Sequence, residues 1–155
     1  MFLPEKPNQI FKNPFTSPIS MAVLGVNFNK IHLDKFSAVK GKVSVRNNVL
    51  LTNCEKTDFS VGTNNQPMMK VGFEFTVDYE PKIANISLAG ELLYLDTADK
   101  IDEYIKQWTK EKKLPKDMMS AFLTHIIQKA NIEALLLSRE IGLPAPIRLP
   151  TVNVK

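Results

Sequence analysis

Apolar and polar residues alternate with a period of two over Met68–Tyr79. Val71, Phe73, Phe75, Val77 and Tyr79 take every second position, and Lys70, Gly72, Glu74, Thr76 and Asp78 fill the gaps. Strand side chains point alternately to opposite faces, so this pattern predicts a strand with one dry and one wet face. A second alternation within Ala84–Leu95 places Ile86, Leu88, Leu92 and Tyr94 in phase. The two runs meet across Glu80-Pro81-Lys82 and predict a hairpin. Gly90 interrupts the second run and marks a bend or a close backbone approach. A strand of this length reaches about 40 Å, which requires a strongly twisted sheet in a small domain.

Two further strands precede the hairpin. In Ala22–Leu33, Leu24, Val26 and Phe28 share one phase and Ile31 and Leu33 the other. The switch near Asn29–Lys30 predicts a bulge. Lys42–Thr52 carries Val43, Val45, Val49 and Leu51 in phase, with Asn47–Asn48 as a candidate turn inside it. A short strand is expected at Asp58–Val61, and Gly62–Pro67 has the composition of a loop. Before all of this, residues 1–20 hold Pro4, Pro7, Pro14 and Pro18 between Phe2, Leu3, Ile10, Phe11 and Phe15. Proline fixes φ and removes donors, so an extended arm packed on its own domain or on a neighbour is expected.

After the hairpin the period changes from two to that of a helix. Asp96 or Thr97 can cap a first helix that carries Ile101, Ile105 and Trp108 on one stripe with Tyr104 beside it. Acidic Asp99, Asp102 and Glu103 fill its start and basic Lys110, Lys112 and Lys113 its end, which suits the helix dipole. A second helix starts near Pro115 and runs to Ile141, with Gly142 and Pro144 to stop it. About 25 residues give roughly 38 Å, the length of the sheet. Met119, Phe122, Leu123, Ile126, Ala130, Leu137 and Ile141 form its main stripe, while Met118, Leu135 and Leu136 lie off it. That second apolar side predicts a contact with another subunit. The tail Leu143–Val154 is extended and apolar, with Pro144, Pro146 and Pro150 spaced along it.

The elements add up to an α+β protein: an arm, 1–20, then a single domain, 21–155. In that domain a short and a long C-terminal helix pack on a twisted antiparallel sheet of about four long strands. A chain of 155 residues buries about 68–70% of its unfolded surface and is stable without disulfides. Cys54 is the single cysteine, which suits a reducing, cytoplasmic setting. No run of 18 apolar residues predicts a membrane span. Met1–Gln9 lacks the apolar centre of a secretory signal.

Charge changes the picture in one respect. Residues 1–60 hold eight Lys/Arg and four Asp/Glu, whereas residues 61–155 hold twelve of each, so the net +4 belongs to the first part. Lys30, Lys35, Lys40, Lys42 and Arg46 are candidate contacts for an anion, including nucleic acid or a ribosome-associated partner. The same lysines also suit a solvated sheet edge protected from aggregation.

Catalytic chemistry finds little support. His32 and His125 lack Cys or His neighbours at zinc-ligand spacing, and Cys54 has no histidine near it in sequence. There is no phosphate-cradling glycine loop and no nucleophile elbow. Glu74 and Asp78 share a strand face with Lys70 and Thr76, as a solvated surface does. No catalytic residue, metal or cofactor is assigned, and a small hydrolase or ligand-binding enzyme in the sheet–helix crevice stays as an alternative.

Three stretches and their order resemble the SecB family of export chaperones. VNFNKIHLDKFS (Val26–Ser37) is similar to that family's first strand, MKVGFEFTVDY with ISLAGELLYL to its central hairpin, and IEALLLSREIGLPAPIRLPTVNV (Ile132–Val154) to its last helix and tail. The similarity spans about residues 22–154. It implies a SecB-like fold and a homo-oligomer, a dimer or a dimer of dimers. It also implies a non-enzymatic, ATP-independent holdase for non-native or pre-export polypeptides. An apolar groove would be lined by Phe28, Ile31, Leu143, Ile147 and Leu149, and the oligomer contact would use Met118, Leu135 and Leu136. SecB proteins are acidic and this chain is basic, with Glu74, Asp78 and Glu91 diluted by Lys70 and Lys82. Coupling to the motor SecA is therefore not carried over.

Overall fold

The computed structural model describes residues 22–148, and the arm, 1–20, and Leu149 of the tail lie outside them. Four strands, β1 (Ala22–Lys35), β2 (Ser44–Val61), β3 (Asn64–Glu80) and β4 (Ala84–Leu95), precede α1 (Ala98–Glu111) and α2 (Lys116–Glu140). The strands form one antiparallel sheet in the order β1-β4-β3-β2. This is the α+β architecture expected from the patterning. Both helices cover the same face of the sheet.

The alternation decides which face that is. On β3, Val71, Phe73, Phe75, Val77 and Tyr79 are all at most 2% exposed. Phe73 stands opposite Gly90 and Leu51, and Phe75 opposite Leu88 and Val49, so three strands present one apolar face. Ile101 and Trp108 of α1, with Phe122 and Ile126 of α2, close over the half that holds Met69, Val71, Phe73, Leu92 and Tyr94. Ala130 and Ala134 of α2 and Leu143 close over the other half, around Phe75, Val77, Tyr79, Ile86 and Leu88. The buried positions of α2 are Phe122, Ile126, Ala130, Ala134 and Ser138, every fourth residue. Small side chains in its second half admit the helix close to the sheet. Ala134 and Ser138 were not on the expected stripe, because neither is apolar or large enough to mark one, whereas Met119, Leu123, Leu137 and Ile141 flank the contact half-buried.

Two boundaries differ from expectation. The strand and short piece expected at Lys42–Thr52 and Asp58–Val61 are one strand, β2, whose residues Asn47 and Asn48 pair with Val77 and Thr76. The expected loop Gly62–Pro67 shrinks to the turn Gly62–Thr63, because Asn64–Pro67 pair with Asp58–Val61. Polar residues in a hairpin arm that leaves the sheet gain ladder hydrogen bonds without burying side chains, so their composition does not reveal the strand.

The irregularity near Asn29 is present: the β1–β4 register shifts between Phe28 and Lys30, and again between Val23 and Gly25. Gly90 sits under the first of these. A Cβ there would lie 1.9 Å from the Asn27 carbonyl oxygen, so only glycine fits. At the other end, Gly142 at φ +65° ends α2, and the chain is tied down by main-chain acceptors. Lys35 Nζ donates to the Ile141 carbonyl at 2.8 Å, Tyr79 Oη to Pro144 at 2.7 Å and Asn47 Nδ2 to Pro146 at 3.3 Å.

Candidate binding groove

β1 is an outer strand of the sheet, and all of its 14 residues but Leu24 and Asn29 pair on one side with β4. An edge strand offers unpaired main-chain groups along its length, and proteins blunt such edges with bulges and charges. Here the two bulges and Lys30 do so in part. The helix-facing residues of β1 follow from their partners: Val23 opposes Tyr94, Val26 opposes Leu92, Phe28 opposes Gly90 and Ile31 opposes Leu88. Phe28 packs edge-on against Phe73 with ring centroids 6.0 Å apart. Because α2 lies over β4 and only the inner side of β1, apolar side chains nearer the edge stay uncovered. Leu24 and Ile31 are 45% and 49% exposed.

Two adjoining cavities follow this edge. One, of about 420 Å³, is walled by Val23, Tyr94, Tyr104, Pro115, Met118, Ala121 and Phe122, with Asp117 and His125 as its charged or polar members. Most of its wall is apolar. The other, of about 390 Å³, runs between Val23–Val26 of β1 and His125, Gln128, Lys129 and Ile132 of α2. Val23 and His125 belong to both, so the two form one groove along β1 and the outer side of α2. Its size is within the range of small-ligand and side-chain pockets. Lys129 donates to the Val26 carbonyl and its Nζ lies 5.6 Å from the Phe28 ring centroid, so one acceptor of the edge is already engaged.

The inner end of the groove holds two phenols, Tyr94 and Tyr104, with ring centroids 6.4 Å apart. Tyr94 Oη donates to Asp96 Oδ2 at 2.8 Å, and Asp96 Oδ1 accepts the Thr97 N–H at 2.7 Å. Burial, then the Asp96 carboxylate, pushes the Tyr94 phenol well above its ordinary range. Tyr104 is raised by burial and by the charges of Asp96 and Glu103. Tyr94 is kept as a neutral donor to Asp96. Tyr94 also meets Phe122 edge-on at 5.1 Å, which fixes the wall.

The expected lining is divided by this geometry. Phe28 and Ile31 lie on β1 but line neither cavity; Phe28 packs against Phe73 and lies by Lys129. Leu143 is buried in the core beneath the tail, and Ile147, half-buried, follows Pro146, which Asn47 holds at β2 on the opposite edge. Met118 lines the first cavity, Leu135 is half-buried, and Leu136 is 51% exposed on the outer side of α2. Ile132, one turn before Leu136, is 63% exposed and extends that apolar strip. Val23, Ala121 and Ile132 were not singled out from sequence, and His125 was weighed only as a metal or catalytic candidate, because only the crossing of α2 over β1 brings them together. The candidate anion contacts do not share a face. Lys30 opposes Ala89 on the uncovered face, Lys35 points to the tail, Lys40 and Lys42 lie in the β1–β2 loop, and Arg46 sits 3.7 Å from Glu80.

The other reactive residues lie apart. His32 is exposed on the uncovered face, with Nε2 2.6 Å from Asp34 Oδ2. Cys54 is buried on β2, and burial pushes its thiol up to about 12. Among the described residues no group of three or more His, Cys, Asp or Glu is arranged to hold a metal ion, and no helix is long and apolar enough to cross a membrane.

No protein-family model matches the chain, and no curated protein matches it. Among solved structures it is similar to the Mycobacterium tuberculosis Rv1957 SecB-like chaperone, determined in complex with a ChAD peptide from the Rv1956 HigA1 antitoxin. The identity is 9%, the match covers 86% of this chain and 91% of that one, and the TM-score is 0.46.

Proposed function

We propose that this chain is a SecB-like, ATP-independent holdase that binds non-native polypeptides in the groove between β1 and α2. The observation that carries the reading is the continuity of the two cavities along an outer strand. An extended segment can lay alternate side chains into them while its main chain lies beside the strand edge. The order of elements, which resembles the SecB family, supports the same reading. Affinity comes from apolar area removed from water, about 25 cal/mol per Å² before ordering costs. Met118 suits a wall that adapts to unlike side chains.

The chain acts as a homo-oligomer, a dimer or a dimer of dimers. Leu135 and Leu136, beyond the second cavity on α2, supply the contact, leaving both cavities of the groove to the client. Thermal aggregation of an unrelated client, with and without the protein and without ATP, tests the function. Protection is expected at near-stoichiometric amounts. Ala121→Trp, at an exposed helix position on the cavity wall, is expected to abolish protection with an unchanged circular dichroism spectrum. Absence of protection by the unaltered protein would overturn the reading.

A further inference from the structure

The turn between the helices stands at one end of the groove and carries a concentration of positive charge that the sequence average hides. Lys110, Lys112, Lys113 and Lys116 fall within seven residues, with Glu111 as the one carboxylate between them. All four lysines are exposed. Among the described residues none of the four makes an ion pair, whereas Lys56, Lys70 and Arg46 do. Leu114, in the middle of the turn, is buried and holds the segment against the core.

The position of the turn matters more than its charge. Pro115, Asp117 and Met118 wall the larger cavity, and Lys116 lies between the first two. Successive Cα atoms are 3.8 Å apart, so the Lys113 backbone is within about 8 Å of Pro115. Lys112 is fixed to one side. It takes the left-handed conformation that ends α1, at φ 57°, donates its N–H to Trp108, and its Nζ lies 5.8 Å from the Trp108 ring centroid. Lys116 is next to the cavity wall along the chain and Lys113 two residues from it, whereas Lys129 of the adjoining cavity is engaged by the Val26 carbonyl. Asp117 is on the wall itself, so a carboxylate is disfavoured inside the cavity and favoured just outside it, at the lysines.

We propose that the groove selects polypeptide segments in which an aromatic or aliphatic side chain is followed within a few residues by carboxylates. The apolar side chain enters the cavity, and the carboxylates meet Lys113 and Lys116 at the turn. This rests on the groove being a polypeptide site and names the class of segment it prefers. A nucleic acid would satisfy the lysines but has no aliphatic side chain for the adjoining cavity, so charge and cavity together fit a polypeptide. Exposed ion pairs are individually weak and screened by salt, so two such contacts amount to a three- to tenfold preference at low ionic strength.

The test uses three fluorescent peptides with one Leu-Phe centre and flanks of Asp, Ser or Lys, titrated at about 50 and 300 mM salt. A short RNA is titrated in parallel. The Asp-flanked peptide is expected to bind about three- to tenfold more tightly than the Ser-flanked one at low salt, with the difference shrinking at high salt. Lys113→Glu combined with Lys116→Glu should reverse the order of the Asp and Lys peptides and leave the Ser peptide unchanged. Equal binding of the three peptides would overturn the preference and leave the holdase reading standing. Failure of the Ser-flanked peptide to bind at all would overturn the groove as a polypeptide site and this inference with it. RNA binding that depends on both lysines, with no difference among the peptides, would replace the polypeptide by a nucleic acid.

Discussion

Cys54 shows how position sets the chemistry of a residue. It lies on β2 opposite Val71, 7% exposed, and burial raises its thiol from about 9 to about 12 although the Lys112 charge pulls the other way. The thiolate is the reactive form, so at pH 8 the folded protein should resist iodoacetamide, and labelling should track unfolding. Labelling at the same rate in water and in urea would show the thiol to be open. The native state holds this proton over pH 9–12 where the unfolded chain releases it. Stability present below pH 9 is therefore lost as pH rises towards 12. Tyr79 acts in the same direction between pH 10 and 12, because burial pushes its phenol up to about 12 against the opposing hydrogen bond of Ser138. Urea midpoints measured from pH 8 to 12 should fall, and fall less in Cys54→Ala.

Among the elements, β3 carries the most legible prediction. Phe75 is 2% exposed and touches the second half of the core, while Glu74 points to the uncovered face opposite Leu50 and Ala89. Phe75→Ala should cost about 3–5 kcal/mol and Glu74→Ala should stay within about 0.5 kcal/mol, measured by urea denaturation. Comparable small effects would mean that the strand faces are assigned wrongly. Period-two alternation announces such a strand because each residue must go to one face or the other. α2 is less legible. Its sheet contact narrows to Ala130, which the expected stripe held, and to Ala134 and Ser138, small residues that no hydrophobic stripe reveals. Asn64–Pro67 of the β2–β3 arm were read as loop for the opposite reason, since they pair with β2 through the main chain while the side chains of Asn64, Asn65 and Gln66 stay exposed and polar.

For the whole molecule, assembly is expected to use the outer side of α2. Leu136 is 51% exposed, one turn beyond Ile132 at the end of the groove. Light scattering at micromolar concentration should give an oligomer, and Leu136→Lys should dissociate it without unfolding, because a half-exposed lysine keeps its charge in water in the monomer. A monomer with no concentration dependence would remove the intersubunit contact. The sequence by itself determined the α+β class, the central hairpin, the bulge near Asn29, the two helices and the residues of the dry sheet face. Each follows from local periodicity, capping or a special backbone requirement. The strand order β1-β4-β3-β2 and the groove were decided by tertiary structure. Val23 of β1, Tyr104 of α1 and the Met118, Ala121 and His125 face of α2 are far apart in the chain and share no motif. They form one wall because the dry face of the hairpin must be covered by both helices, and helices of this length leave the edge of β1 uncovered.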